Sequence, residues 1–369
     1  MPERDLQESI ATLEQQLADQ PSDRALGREL AGVYQLAGRL DAAAELLLRL
    51  LDEGGPDWEL CRAAVEVLRA AGKMDAAVET LNQGARHYRD RADFWLLRGL
   101  LLEAMGEWEA ALGEHELAQQ IAPYMPEAHF RRGVVLLHLQ RPNEAEQAFE
   151  RVLQLKPHLA AASVSIGLAR EAQGDIDGAV AAYERALECD ARCADAHANL
   201  GALFGELGRP DEALAHSEQA LALDPTLSEA AYNAGRAYMA TDAERAVRFF
   251  RRAVASDPQN LDAYHALGQL AEEAGQWERA VRYFRKAVAG DPAREESLYA
   301  LGLCYSRLER SGDAIDSLRQ LLDRNPEHER AWFHLGIACD KQGDYAAAQE
   351  AYRRAEACRR QASTSTEAS

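Results

Sequence analysis

The sequence predicts an all-α protein, an α-solenoid of about ten tandem helix hairpins. A small residue recurs every 34 residues, with one step of 33, and a position eleven or twelve residues later is alanine in every repeat. No stretch shows the alternation of apolar and polar residues that is typical of a strand. The first register is Gly99, Gly133, Gly167, Gly201, Gly235, Gly268, Gly302 and Gly336; the second is Ala43, Ala77, Ala111, Ala145, Ala179, Ala213, Ala246, Ala280, Ala314 and Ala348.

One repeat, residues 194–225, shows how a hairpin forms. Leu200 and Phe204 lie four residues apart on one face of a 3.6-residue period, which predicts the first helix. Gly208 follows, a residue free to adopt the positive φ that ends a helix. Pro225 closes the second helix, because proline removes a backbone donor and pushes the preceding residue out of the α region. The segment therefore predicts a helix, a tight turn and a second helix.

The chain divides into a cap, an array and a tail. Residues 1–22 contain a single amphipathic helix, which we expect to cap the exposed end of the array. Residues 23–360 hold ten repeats, of which the first two are the most divergent. The repeat that contains Gly235 is one residue short in the turn between its helices, so we expect a local change of twist there. The small and polar residues of 361–369 predict a disordered tail.

We number the positions of each repeat so that the recurring small residue, such as Gly201, is position 8. Residues are then small at positions 8, 20 and 27, large or aromatic at position 24, and proline at position 32. This pattern resembles the tetratricopeptide repeat over residues 24–360. The resemblance implies a right-handed superhelix in which contacts between neighbouring hairpins supply most of the stability. It also implies that the first helices line a concave groove, with positions 2, 5, 6, 9 and 12 facing it. Position 24 includes Phe149, Tyr183, Phe250, Phe284 and Tyr352, and position 32 includes Pro123, Pro157, Pro225, Pro258, Pro292 and Pro326.

The groove positions carry aromatic, amide and basic side chains. Rings supply contact area, and Asn or Arg hydrogen-bonds a peptide backbone, so these residues predict a site for an extended peptide. Scattered polar residues on a solvent-exposed face are the alternative interpretation. The predicted groove residues are Phe130, Arg131, Asn199, Tyr232, Asn233, Arg236, His265, Gln269, Tyr299, Phe333 and His334, together with Met239.

Other members of the family refine this prediction. Asn199 and Asn233 occupy position 6 of adjacent repeats and resemble the asparagine ladder with which arrays in O-linked sugar transferases hold a substrate backbone. Repeats that bind the acidic C-terminus of a heat-shock chaperone carry lysine at position 5, and no lysine occupies that position here. We therefore do not expect specificity for chaperone tails.

A basic stripe follows the second helices of the later repeats. In a chain of net charge −20, it polarises the convex surface and predicts docking of an acidic partner or of the acidic end of another copy. Basic residues are also common at these positions in the family, so an ordinary solvated surface is the alternative. The stripe consists of Arg248, Arg251, Arg252, Arg282, Arg285 and Lys286.

Composition narrows the classes of partner and compartment. The net charge of −20 and a pI of about 5.0 disfavour nucleic acid and anionic membranes as partners. No apolar run approaches the roughly 18 residues needed to span a bilayer. The N-terminal segment has no apolar signal core, so we expect a cytoplasmic protein without direct membrane insertion. The six cysteines show no spacing typical of a disulfide framework.

No catalytic motif is evident, because the chain has neither a glycine-rich phosphate loop nor a helical zinc-protease motif. Cys189, Cys193 and His197 are spaced for a shared metal ion, but the segment crosses a loop between repeats, so we expect no metal and no cofactor. We therefore predict a non-enzymatic adaptor that binds an extended peptide of another protein in the groove. Two alternatives remain: a self-assembling structural scaffold that forms a homo-oligomer, and a regulatory subunit that acts with an enzyme in trans.

Overall fold

The computed structural model describes residues 3–367, and the side chains of residues 5–361. Those residues form 21 α-helices and no strand. The helices are α1 (Glu3–Asp19), α2 (Arg24–Leu36), α3 (Leu40–Gly54), α4 (Trp58–Ala70), α5 (Met74–Tyr88), α6 (Ala92–Ala104), α7 (Trp108–Ile121), α8 (Pro126–His138), α9 (Pro142–Leu155), α10 (Ala160–Gln173), α11 (Ile176–Cys189), α12 (Ala194–Glu206), α13 (Pro210–Leu223), α14 (Ser228–Tyr238), α15 (Ala243–Ser256), α16 (Leu261–Glu273), α17 (Trp277–Gly290), α18 (Glu295–Arg307), α19 (Ser311–Leu322), α20 (Glu329–Gln342) and α21 (Tyr345–Glu367).

The helices follow the period of the sequence. After α1, each even-numbered helix begins at position 1 of a repeat and is the first helix of a hairpin, and each odd-numbered helix is the second. Consecutive first helices begin 34 residues apart, as from Arg24 to Trp58, except for the step of 33 from Ser228 to Leu261. The predicted all-α repeat fold is confirmed.

The helices pack into two compact units, the first ending at Cys189 and the second beginning at Asp190. Within each unit, the two helices of a hairpin pack together, and the second helix packs on the first helix of the next hairpin. First helices of neighbouring hairpins also touch, α8 with α10 in the first unit and α12 with α14 in the second. No pair of second helices within residues 3–367 is in comparably close contact, so the first helices lie on the inner side of each stack.

A glycine at position 8 faces the side chain at position 24 of the same hairpin, which is a ring in six of the eight repeats that have this glycine. A Cβ added at Gly268 would lie 2.5 Å from Cε1 of Phe284, and one added at Gly235 would lie 2.6 Å from Cε1 of Phe250. Both rings are fully buried. In these two hairpins glycine is required at position 8, because the ring occupies the space of a side chain. The alanines at position 20 are at most 1% exposed in all ten repeats.

The turn between the two helices of a hairpin contains one residue in the left-handed region. This residue stands at position 15 in nine of the ten repeats, and it includes Gly208, with a φ of +69°. Gln140 and Glu309 hold the same position with a φ of 57°, where their side chains are strained. The shortened repeat has no left-handed residue in its turn, and the Asp242 side chain instead caps α15 by accepting a bond from the backbone N–H of Arg245.

The two ends of the chain are both helical. The apolar side chains Ile10, Leu13 and Leu17 of α1 are buried, and the Tyr34 hydroxyl donates to Glu14 Oε1 at 2.6 Å, which joins α1 to α2. The predicted disordered tail of 361–369 differs from the structure, because α21 continues to Glu367. No glycine or proline follows Tyr345 to end that helix. Residues 368 and 369 of the predicted tail lie outside the described residues.

Candidate functional site

Most of the predicted groove residues lie on the first helices of the second unit. Phe130 and Arg131 belong to α8 of the first unit, where Arg131 Nη1 lies 3.6 Å from Glu103 Oε2. The candidate site described below is therefore confined to the second unit and its first helices. It contains Asn199 on α12, Tyr232, Asn233 and Arg236 on α14, His265 and Gln269 on α16, Tyr299 on α18, and Phe333 and His334 on α20.

Rings at position 5 pack against the ring at position 24 of the same hairpin. The ring at position 24 is fully buried in three of the four pairs and partly buried in the fourth, so the core sets the orientation of the side chain at position 5. The ring at position 24 also covers the glycine at position 8, which joins the groove and the core of the hairpin. The ring pairs, with their centroid distances, are Phe130 and Phe149 at 5.4 Å, Tyr232 and Phe250 at 5.7 Å, His265 and Phe284 at 5.4 Å, and Phe333 and Tyr352 at 5.8 Å.

A small pocket lies beside Asn233 and Arg236, where α14 meets the preceding hairpin. Its volume is about 260 Å³, and small residues that include Gly205 and Ala213 line the side opposite them. The Arg236 guanidinium carbon lies 5.9 Å from the centroid of the Tyr232 ring. The pocket thus combines an apolar wall with one amide and one guanidinium group, a combination suited to a side chain and the adjoining backbone of a peptide.

Three amide side chains of the site make no hydrogen bond within the described part of the chain: Asn199, Asn233 and Gln269. All three are half-buried. An amide carries two donor hydrogens and one acceptor oxygen. None of the three amides has a fully buried atom without a partner, so their polar atoms are accessible at the surface. These side chains can therefore bind the N–H and C=O groups of a ligand without breaking an existing bond.

The surroundings of His265 and His334 lower the pKa of both side chains and so favour the neutral form. Burial lowers the pKa of His265, and the nearby Arg294 charge lowers it further. Its Nδ1 shares a hydrogen bond of 2.8 Å with Ser297 Oγ. Burial lowers the pKa of His334 in the same way. The Tyr299 ring lies near His334, with centroids 5.7 Å apart, so the site has an aromatic section between α18 and α20.

Acidic residues at position 2 are a further feature of these helices, which the repeat pattern alone did not single out. They occur in four successive repeats of the second unit, and a comparison of position 2 down the repeats would have found them. Asp262 is paired with Arg294, and it raises the pKa of Tyr232, for which burial is the larger cause. The other three are exposed and form no ion pair within the described residues. They are Asp195, Glu229 and Glu296.

The basic stripe lies on α15 and α17. Five of its six predicted residues have no hydrogen bond or ion pair in the described part of the chain. Arg252 differs, because its guanidinium donates to the carbonyl oxygens of Leu221 and Pro225 and so satisfies the C-terminal end of α13. Arg252 therefore has a structural role, and the remaining stripe residues face outward.

Family models for tetratricopeptide repeats match most of this array. Three models described as tetratricopeptide repeat match residues 62–126 and 299–363, residues 126–159, and residues 206–267. A model described as TPR repeat matches residues 167–208. The chain is a tetratricopeptide repeat protein. One further model, anaphase-promoting complex, cyclosome, subunit 3, matches residues 239–320 of this repeat protein.

The comparison with solved structures finds matches to the repeat protein at low sequence identity. An IFIT1 monomeric mutant with Gppp-AAAA is 17% identical, and the match covers 94% of each chain with a TM-score of 0.51. YrrB, described as a TPR protein with an unusual peptide-binding site, is 23% identical over 48% of this chain and 93% of its own, with a TM-score of 0.46. MamA is 21% identical over 46% of this chain and 94% of its own, with a TM-score of 0.43. No curated protein matches the sequence.

Tetratricopeptide repeats mediate interactions between proteins, and this repeat protein is an interaction scaffold in that general sense. Across residues 3–367, no helix has both the length and the apolar character needed to cross a membrane. The described side chains include no group of three or more His, Cys, Asp and Glu placed to hold a metal ion.

Proposed function

We propose that the repeat protein is a non-enzymatic adaptor that binds an extended segment of a partner protein along the first helices of its second unit. The observation that carries the proposal is the set of three half-buried amides, Asn199, Asn233 and Gln269, whose hydrogen-bonding groups are unused in the chain itself. A peptide in extended conformation offers unpaired backbone N–H and C=O groups. Amide side chains are the groups that bind both.

The pocket beside Asn233 supports binding of a side chain as well as a backbone. Its volume of about 260 Å³ and its small wall residues fit one aliphatic side chain of the segment. Arg236 lies at the pocket edge and is exposed, so its guanidinium can bind a backbone carbonyl of the same peptide. One anchored side chain with neighbouring backbone bonds would fix the register of the segment.

The rings at position 5 supply contact area at a low entropic cost. Tyr232 and His265 are already packed against buried rings, so ligand binding removes little side-chain freedom from them. The exposed acidic residues at position 2 give this surface a preference for positively charged ligands. Asp195, Glu229 and Glu296 favour a segment that carries lysine or arginine beside its apolar anchor.

A displayed library of random dodecapeptides, selected on the wild-type protein, supplies the ligand for the test. We define the groove variant as Asn199→Ala, Asn233→Ala and Arg236→Ala. The three side chains that it removes make no hydrogen bond or ion pair to any described residue, so we expect the melting temperature to be unchanged. We expect it to bind the selected peptide with a free energy weaker by about 2–4 kcal/mol, as measured by fluorescence polarisation.

The matched control removes the same residue types from second helices of the first unit. It carries Asn82→Ala, Asn143→Ala and Arg185→Ala, three exposed residues whose side chains make no hydrogen bond or ion pair to any described residue. We expect this control to bind the selected peptide as the wild type does. Equal affinity for wild type and groove variant would refute the proposal. So would a library that yields no ligand while light scattering shows the protein associating with itself, which is the behaviour of a self-assembling scaffold.

A further inference from the structure

Helices α15 and α17 carry nearly the same sequence, and it is strongly basic. Residues 244–255 and 278–289 are identical at ten of twelve positions. The two helices together hold eight basic and two acidic residues, in a chain of net charge −20. The duplication places basic residues at matching positions of two adjacent second helices. Six of them form the surface that we name the cationic patch: Arg248, Arg251, Arg279, Arg282, Arg285 and Lys286.

The cationic patch has no carboxylate partner within the described residues. Arg279 donates to the neutral Gln276 side chain at 2.7 Å, and the other five make no recorded hydrogen bond. Arg245, on the same helix as Arg248, does pair with Asp242 at 3.1 Å. The patch is therefore a local concentration of unneutralised positive charge on an acidic protein. Carboxylates of a ligand are attracted to these basic side chains, and their binding also reduces the repulsion among the side chains.

Two adjoining cavities lie beneath the patch, between α15, α16 and α17. The first, of about 490 Å³, has an apolar floor that includes Leu267 and Leu270, and its lining holds three arginines and one carboxylate, Glu244. The second, of about 730 Å³, contains Tyr264 and five basic side chains of the patch and no acidic one. Arg251, Arg279 and Tyr283 line both cavities, so the two form one continuous groove. The groove offers an apolar slot beside a cationic wall.

We infer that this groove docks an acidic segment of a partner protein, rich in Asp and Glu and carrying one large aliphatic or aromatic anchor. The anchor occupies the slot over Leu267 and Leu270, where it is removed from water. The carboxylates on either side bind the guanidinium groups of Arg251 and Arg285, whose planar geometry matches a carboxylate. This site shares helix α16 with the proposed peptide groove but includes none of the predicted groove residues.

Other anionic occupants fit the patch less well. A nucleic acid or an anionic membrane extends beyond the patch and meets the field of a chain with a charge of −20, which repels it. The acid-rich stretch at 52–59 of a second copy is already engaged, because Trp58 is 7% exposed and Asp57 is paired with Arg24. A short acidic segment of another protein meets neither obstacle.

The test uses a fluorescein-labelled dodecapeptide of Asp and Glu with a central Leu-Phe pair, and the same peptide with Gly-Gly in its place. We expect the anchored peptide to bind the full-length wild type and the unanchored peptide to bind about tenfold more weakly. The patch variant, Arg251→Glu with Arg285→Glu, should weaken anchored-peptide binding at least about tenfold. A second variant, Arg251→Gln with Arg285→Gln, removes the positive charges without adding negative ones and should also weaken binding of the anchored peptide.

The control variant, Arg49→Glu with Arg185→Glu, makes the same charge change on exposed residues of second helices in the first unit. It should bind like the wild type, and circular dichroism should show all variants folded. Equal binding of the anchored peptide to the patch and control variants would overturn the inference. The inference would also be overturned if a twelve-nucleotide single strand or phosphatidylserine vesicles bound the wild type more tightly than the anchored peptide does. Self-association that the patch variant abolishes would assign the groove to a second copy instead.

Discussion

The ring of Tyr232 packs against the ring of Phe250, with centroids 5.7 Å apart and an angle of 47° between the ring planes. Phe250 is fully buried and lies against Gly235, so a side chain of the proposed groove rests directly on the core of its hairpin. One column of contacts, from position 8 to position 24 to position 5, therefore links the stability of the hairpin to the surface proposed for recognition. The groove surface is organised before a ligand arrives.

Substitutions of Tyr232 should separate its ring from its hydroxyl. Tyr232→Ala removes the contact with Phe250 and should lower the free energy of unfolding by about 1–2 kcal/mol. Tyr232→Phe keeps that contact, and no recorded hydrogen bond uses the hydroxyl, so its stability should match the wild type within about 0.5 kcal/mol. Urea unfolding followed by circular dichroism measures both. Equal destabilisation by the two variants would show that the ring contact is not what holds Tyr232.

A methyl group at position 8 should clash with the ring at position 24. Gly268→Ala brings a Cβ to 2.5 Å from Cε1 of Phe284, and we expect a loss of about 1–3 kcal/mol of stability. Gly32→Ala is the matched control, since a Cβ there has nothing within 4 Å. Alanine is the better helix former, so the control should be neutral or stabilise by up to about 1 kcal/mol. Thermal melts that rank the two variants in the opposite order would contradict the packing described.

Two turns hold a non-glycine residue in the left-handed region, and substitution by glycine should relieve the backbone strain there. Gln140 and Glu309 both have a φ of 57° at the position where seven other repeats have glycine. Gln140→Gly and Glu309→Gly should each stabilise by about 0.5–1 kcal/mol, because the removed strain exceeds the added freedom of the unfolded chain. The reverse change, Gly208→Ala, should destabilise by about 1 kcal/mol. Destabilisation by both glycine variants in urea would show that these turns are not strained.

The neutral histidines predict a loss of stability in mild acid. The pKa of His265 lies below its usual value of about 6.5, so the unfolded chain binds the proton more readily. Stability that His265 contributes is complete above about pH 6.5 and is lost as the pH falls from there through the folded pKa. His265→Phe keeps a ring against Phe284 and removes the proton site. Its melting temperature should fall less than that of the wild type between about pH 7.5 and about pH 5.5.

Charged residues near His265 also affect its pKa. Arg294 lowers its pKa, whereas Glu296 and Asp262 raise it by a smaller amount than burial lowers it. An equal fall in melting temperature for the wild type and His265→Phe would assign the acid sensitivity to other groups.

The repeat register could be predicted in full from the sequence. Ala213 and its counterparts are buried where two helices touch, and six of the eight glycines at position 8 lie under a ring, so residue type alone reports most of these contacts. Gly208 likewise marks the turn, because its φ of +69° suits glycine. The short repeat with Gly235 was also visible in the spacing, and its turn is the one without a left-handed residue.

The remaining features depend on where separate segments meet in space. Arg252 has the same residue type as Arg251, but only its position near the end of α13 directs it to the carbonyls of Leu221 and Pro225. The pocket beside Asn233 forms between two hairpins and has no sequence signature of its own. Glu309 adopts a left-handed turn that its residue type disfavours, because the repeat geometry around it is fixed by packing.

The most direct test of the account is a pull-down from native lysate with three baits side by side: wild type, groove variant and matched control. Recovered proteins are quantified by mass spectrometry, and the bound segment of any partner is mapped by limited proteolysis. We predict a partner that is retained by wild type and control and lost from the groove variant, with the protected segment short and extended. A partner retained equally by all three baits would contradict binding along the first helices of the second unit.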